Sequence, residues 1–141
     1  MVNGIAEILE ECSKIDKRYG RLTFLQQNSS QALKAVLGFC FDPKIKWLLP
    51  EGDPPYEPNK KSTDSQNVLL ADHRKLHIFV ESVEYKDLRD IKREQLFIQF
   101  LEELDPDDAR LMLSIKNKKM PYKGITSALV KDAFPNLAKD W

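Results

Sequence analysis

Apolar side chains recur along this chain at intervals of three and four residues, the period of a helix with one face turned inward. Ile5, Ile8, Leu9, Cys12 and Ile15 form the first such stripe. Tyr19-Gly20 reads as a break after it, and Leu22, Phe24 and Leu25 predict a short second helix ending at Asn28. Ser29 or Ser30 can cap a third helix by accepting an unpaired first-turn N–H. Leu33, Val36, Leu37, Cys40 and Phe41 make its buried stripe, and Asp42-Pro43 stops it. Helical patterning returns over about 67–82, with Leu69, Leu76, Phe79 and Val80 on one side, and again over about 86–104. The second half of that later segment, Leu96 to Leu101 with Leu104, is apolar around more than half its circumference, which predicts the central buried helix. Asp105-Pro106-Asp107-Asp108 is a start signal: a capping Asp, Pro at the first helical position, and carboxylates at the positive end of the dipole. The helix it opens should bury Leu111, Met112 and Ile115. A last helix begins with Thr126 as cap, with Ile125 packed on Val130 as a hydrophobic staple, and ends at Pro135.

Two stretches break this rhythm. Ile45 to Leu49 is apolar but short, and fits a strand or a buried turn equally well. Pro50 to Pro58 holds four prolines in nine residues and leads into a polar run, so an extended excursion over residues 50–66 is expected. No internal repeat or heptad pattern interrupts the sequence. The expectation is an all-α fold, one compact domain of six or seven helices over residues 1–141.

Composition changes this picture little. Apolar residues make up 42% of the 141 and charged residues 31%, as in ordinary globular chains. No apolar run has the length of a membrane span, and the N-terminus lacks the basic start and apolar block of a secretory signal. Cys12 and Cys40 fall on apolar stripes and read as buried reduced thiols, so a cytoplasmic protein without disulfides or membrane association is expected.

Charge changes it more. The formal net charge is zero, which excludes a polyanion binder held by bulk charge. From Lys116 onward, however, six lysines face only Asp132 and Asp140, while the preceding residues carry 16 basic and 20 acidic groups. A nucleic-acid surface would therefore be confined to one region. Lys116, Lys118, Lys119 and Lys123 crowd a turn that ends at Gly124, just before the predicted last helix. A helix N-terminus attracts anions through its unpaired N–H groups and dipole, and a glycine allows close approach to the backbone.

Other candidate chemistry is sparse. His73 and His77 lie four apart near Asp72, but no cysteine pair completes a metal set. The acidic pairs Glu10-Glu11 and Glu102-Glu103 occupy predicted solvent faces. Neither cysteine has sequence neighbours that predict a thiolate nucleophile. No glycine-rich phosphate loop, nucleophile elbow or His-Glu-x-x-His motif occurs. Basic residues alternate with aromatics at Lys44-Ile-Lys-Trp47 and Met120-Pro-Tyr-Lys123, a pattern that can serve base stacking, although Trp47 also fits a core anchor. No catalysis, metal or cofactor is expected.

The block Gly124-Ile-Thr-Ser-Ala-Leu-Val-Lys-Asp-Ala-Phe-Pro-Asn-Leu137 resembles the end of the N-terminal DNA-binding domain of phage-type ATP-dependent DNA ligases, where a basic stretch leads into a small-residue turn and a helix with an aromatic-Pro ending. Upstream, Ile8 to Cys12, Phe24 to Asn28, Leu33 to Leu37 and Ile45 to Trp47 resemble the successive elements of that domain. The chain is also similar to a group of short proteins of T-even-like phages. The resemblance implies an all-α domain that grips duplex DNA through its backbone across the minor groove, in a host bacterial cytoplasm. The ligase Lys-x-Asp-Gly motif, whose lysine takes the adenylate, has no counterpart here: Lys14-Ile-Asp16 is followed by Lys17. Ligase chemistry is therefore not expected.

These readings converge on a non-catalytic module that binds double-stranded DNA with little sequence specificity and favours nicked or distorted DNA. Lys116, Lys118, Lys119, Lys123 and Lys131 would neutralise phosphates, while Gly124, Thr126 and Ser127 offer backbone and hydroxyl donors. The alternative is a protein-interaction adaptor that modulates a phage or host replication or repair factor, presenting the Pro50–Pro58 loop as its platform.

Overall fold

The computed structural model describes residues 4–58 and 68–137. They form seven α-helices: α1 (Ile5–Ser13), α2 (Arg18–Gln27), α3 (Gln31–Phe41), α4 (Val68–Asp72), α5 (Asp90–Glu103), α6 (Pro106–Lys116) and α7 (Ser127–Ala133). A 3₁₀ helix, His73–Phe79, continues directly from α4. The all-helical expectation holds. Among the described residues no helix is long and apolar enough to cross a membrane.

The helix ends form where the sequence places their caps. Ser30 accepts from Leu33 N, Asp105 from Asp107 N and Thr126 from Leu129 N, each satisfying one orphan donor of a first turn. Pro106 stands at the start of α6, where its missing N–H costs nothing.

Three expectations change. Tyr19-Gly20 does not break a helix, because α2 begins at Arg18 and runs through both residues. Gly20 instead marks a close approach: a Cβ there would lie 2.8 Å from Ile15 Cγ2. The segment near 67–82 is a five-residue α-turn followed by 3₁₀ helix, and Asn67 itself lies outside the described residues. The third change concerns α5, which starts at Asp90 and is amphipathic, with Ile91 73% exposed. The most enclosed helices are α3 and α6, which bury Leu33, Val36 and Leu37 and Leu111, Met112 and Ile115. α6 can be buried because α1, α3 and α5 surround it.

Phe79, Phe97 and Phe100 form an aromatic cluster beneath α5 and the 3₁₀ helix, with the Phe79 and Phe97 rings edge to face at 5.1 Å. Arg93, 2% exposed, joins that region to the preceding turn by donating to the carbonyls of Ile78, Tyr85 and Leu88. The ambiguous Ile45–Leu49 segment is extended and forms one antiparallel bridge, Trp47 to Val80. Leu48 N donates to Phe79 O at 2.9 Å, and Glu81 N to Lys46 O at 2.8 Å.

The proline-rich stretch is not a detached excursion over its described part. Tyr56 packs on the core, and Glu57 N donates to Glu102 Oε2 at 2.9 Å. Residues 59–66 of the expected excursion lie outside the described residues.

Candidate nucleic-acid interface

α6 ends in a closed turn. Lys118 N donates to Ile115 O at 2.8 Å and Lys119 N to Ser114 O at 3.0 Å, the paired bonds of a Schellman motif. The residue after the C-cap must then be left-handed, and Lys118, at φ 59°, occupies the place usually held by glycine. Its ammonium reaches the end of α3 and donates to Phe39 O at 3.3 Å and Asp42 O at 2.5 Å. Carbonyls at a helix C-terminus carry partial negative charge, so a cation there is favourable.

Lys116 is also committed. It is 5% exposed, and its Nζ donates to Pro50 O at 3.1 Å, Gly52 O at 2.9 Å and Asn117 Oδ1 at 3.1 Å. Burial pushes its pKa down, with Asp53 and Glu51 opposing. Both lysines, expected to neutralise phosphates, have their ammonium groups engaged by carbonyl oxygens that tie neighbouring segments to the end of α6. The Lys119 side chain is exposed and makes no hydrogen bond or ion pair among the described residues.

These residues form one wall of an open cleft of about 610 Å³. The opposite wall is the extended segment after α3, with Lys46, Trp47 and Glu51. Four lysines thus line the cleft against a single carboxylate among its described lining residues. Lys46 is exposed and lies 4.0 Å from Glu81, an ion pair too long and too solvated to hold it. Trp47 is half-buried: its Nε1 donates to Phe39 O at 3.1 Å, and its ring meets that of Phe39 edge-on at 5.9 Å.

The remaining expected site residues stand elsewhere. Gly124 has a φ of 81°, and a Cβ on it would lie 2.9 Å from Arg21 Nε. Arg21 Nε donates to Gly124 O at 3.2 Å, and the same guanidinium holds Ile15 O and Asp16 O at 2.9 Å. Gln26 of α2 donates to Ala133 O, and Arg18 pairs with Asp132. The stretch from Lys123 to Lys131 therefore packs against α2 and is not part of the lysine cleft. Within it, Lys123 and Gly124 are exposed, Ser127 and Lys131 are half-buried, and the Thr126 hydroxyl accepts the Leu129 N–H at 3.2 Å. Tyr122 is half-buried near Glu10, Asp107 and Arg110, with its phenol pKa raised chiefly by burial. It does not share the cleft with Trp47.

Sequence reasoning had flagged the alternation Lys44-Ile-Lys-Trp47 but placed none of it in the site. The missing signal was the pairing of distant segments, which depends on the Trp47–Val80 bridge and the Lys116 bonds to the Pro50 loop. Nothing in the spacing of lysines along the chain specifies either.

The described lining residues of the cleft include no histidine, cysteine or serine. Cys12 and Cys40 are buried free thiols. Burial pushes the Cys40 thiol up to about 11 against the opposing pull of Lys118, and raises Cys12 against that of Arg21. Among the described residues no group of three or more His, Cys, Asp or Glu could hold a metal ion.

A protein family of unknown function, DUF6433, matches residues 8–122. The chain belongs to this family. The matched span carries both walls of the lysine cleft, whereas Gly124–Leu137 lies beyond it. No curated protein and no solved structure matches the chain.

Proposed function

We propose that this member of the DUF6433 family is a non-catalytic module that binds duplex DNA through the phosphate backbone, with the lysine cleft as its centre. One observation carries the reading: two basic segments far apart in sequence, Lys46-Trp47 and Lys116–Lys119, close on one cleft that contains a single carboxylate among its described lining residues. In a chain of zero net charge, such a concentration is a local field that favours a polyanion. Lys46 and Lys119 supply mobile ammonium groups to phosphates. Lys116 and Lys118 donate to carbonyls behind the cleft, and burial lowers the pKa of both, so their share is smaller than that of the exposed pair. Trp47 offers an aromatic border. Lys123 and Lys131 stand beside α2 as outer contacts whose share is measured separately. Phosphate contacts of this kind set position without reading sequence.

Pro50–Pro58 stays largely exposed, as the adaptor reading requires; the four lysines of the cleft are what favour DNA over it. Fluorescence anisotropy of labelled intact and nicked duplex across a salt series tests the proposal. With three or four phosphates neutralised, log K should fall against log salt with a slope of about −3 to −4. Absence of binding at the lowest salt overturns it.

A further inference from the structure

Phe39, whose ring meets Trp47 of the lysine cleft, also meets His77 of a second cleft, at 5.2 Å and 80°. This cleft measures about 570 Å³. Lys34 enters it from α3, and His73, Arg74 and His77 enter from the 3₁₀ helix. Its described lining residues include no carboxylate. Among the described residues the two cations face no counter-ion: Lys34 sits 5.6 Å above the Phe134 ring, and the Arg74 side chain makes no hydrogen bond or ion pair. A guanidinium fork matches two phosphate oxygens, and the exposed His77 imidazole adds a further N–H donor.

The remaining wall is mainly apolar, with Gln31 and Asn136 as its polar members. Phe134, Pro135 and Leu137 follow α7 along it, with Ala35 and Ala133 beside them. The volume lies within the range of about 300–1,000 Å³ typical of small-molecule sites and far exceeds what a bare phosphate fills. We propose that this cleft binds a small phosphorylated molecule of about nucleoside-monophosphate size. Its phosphate sits on Lys34 and Arg74 beside the histidines, and its organic part lies on the Phe134–Leu137 wall. The site uses none of the residues of the lysine cleft, so it stands or falls independently of DNA binding.

The chain's only two histidines both line this cleft, so their Cε1–H proton resonances report on it alone. Inorganic phosphate, AMP and adenosine are titrated separately at fixed pH, against sodium chloride at matched ionic strength. Phosphate should shift both signals saturably. AMP should saturate at a concentration roughly tenfold lower or less, because its base adds apolar contact worth about 1.4 kcal/mol per factor of ten. Lys34→Gln with Arg74→Gln should remove the response, and the exposed Arg74→Gln alone should weaken it while leaving the rest of the spectrum intact. Unmoved histidine signals, or a response that survives the double change, overturn the site. Equal affinity for phosphate and AMP overturns the role of the apolar wall. A short duplex titrated into Lys46→Glu/Lys119→Glu protein separates the sources of phosphate. Saturation by duplex below the AMP concentration overturns the small-molecule assignment.

Discussion

Lys118 shows how one residue can look functional in sequence and be structural in space. Its left-handed backbone would suit glycine, while its side chain holds the end of α3. The two roles separate by substitution. Lys118→Ala keeps the backbone strain and loses the ammonium contact, whereas Lys118→Gly loses the contact and relieves the strain. Glycine at this position should therefore be more stable than alanine by about 1 kcal/mol in denaturant unfolding, and equal stabilities would show that the left-handed turn is unstrained. Asp108 makes a different kind of prediction. It is 1% exposed; Oδ1 accepts from Ala6 N at 2.8 Å, and Oδ2 has no partner. Burial raises its carboxyl from 3.8 to about 7; the Ala6 N–H opposes this, and Asp105, Asp107 and Glu7 reinforce it. The folded state then holds a proton that the unfolded chain has released between these values. The stabilisation is complete below about pH 4 and is lost as pH rises through about 7. The difference in unfolding free energy between the native protein and Asp108→Asn should shift toward the variant over that interval, by on the order of 4 kcal/mol. A difference independent of pH would contradict the buried, proton-holding role.

At the scale of elements, α6 organises the molecule through its two ends. Its N-terminal turn presents Asp108 to the first turn of α1, and its C-terminal turn sends Lys116 to the Pro50 loop and Lys118 to α3. Lys116→Met should leave the Pro50 and Gly52 carbonyls without their donor, cost about 2 kcal/mol, and expose the segment between Leu49 and Pro58 to limited proteolysis. Unchanged cleavage there would mean that Tyr56 and the Glu102 bond hold the loop alone. The helices themselves were legible because caps and stripes are local: Ser30, Asp105 and Thr126 each act within one turn. The 3₁₀ helix was not, since the apolar spacing of Leu69, Leu76 and Phe79 serves either geometry and burial against α3 and α5 decides. α5 read as the central helix because its apolar density says how much surface can be covered but not which neighbours cover it. The lysine turn showed its charge in the sequence and hid its partners, because carbonyl acceptors on Phe39, Asp42, Pro50 and Gly52 carry no side-chain signature.

At the scale of the whole molecule, a neutral chain sorts its charge into separate regions. Glu7, Glu10, Asp105, Asp107 and Asp108 gather around the start of α1 and α6, whereas Lys46, Lys116, Lys118 and Lys119 line the cleft at the other end of α6. That separation lets a protein with a pI near 6.7 present a confined basic surface. The central claim is that this surface, and not the Lys123–Lys131 stretch beside α2, is where duplex DNA is held. The direct test compares duplex affinity by anisotropy for Lys46→Glu/Lys119→Glu and for Lys123→Glu/Lys131→Glu at one low salt concentration. None of these four side chains makes a hydrogen bond among the described residues on which the fold depends. The first pair should lower affinity at least tenfold and flatten the salt slope by about 2, while the second changes it by less than about threefold. Unchanged binding in the first pair together with loss in the second would contradict the account.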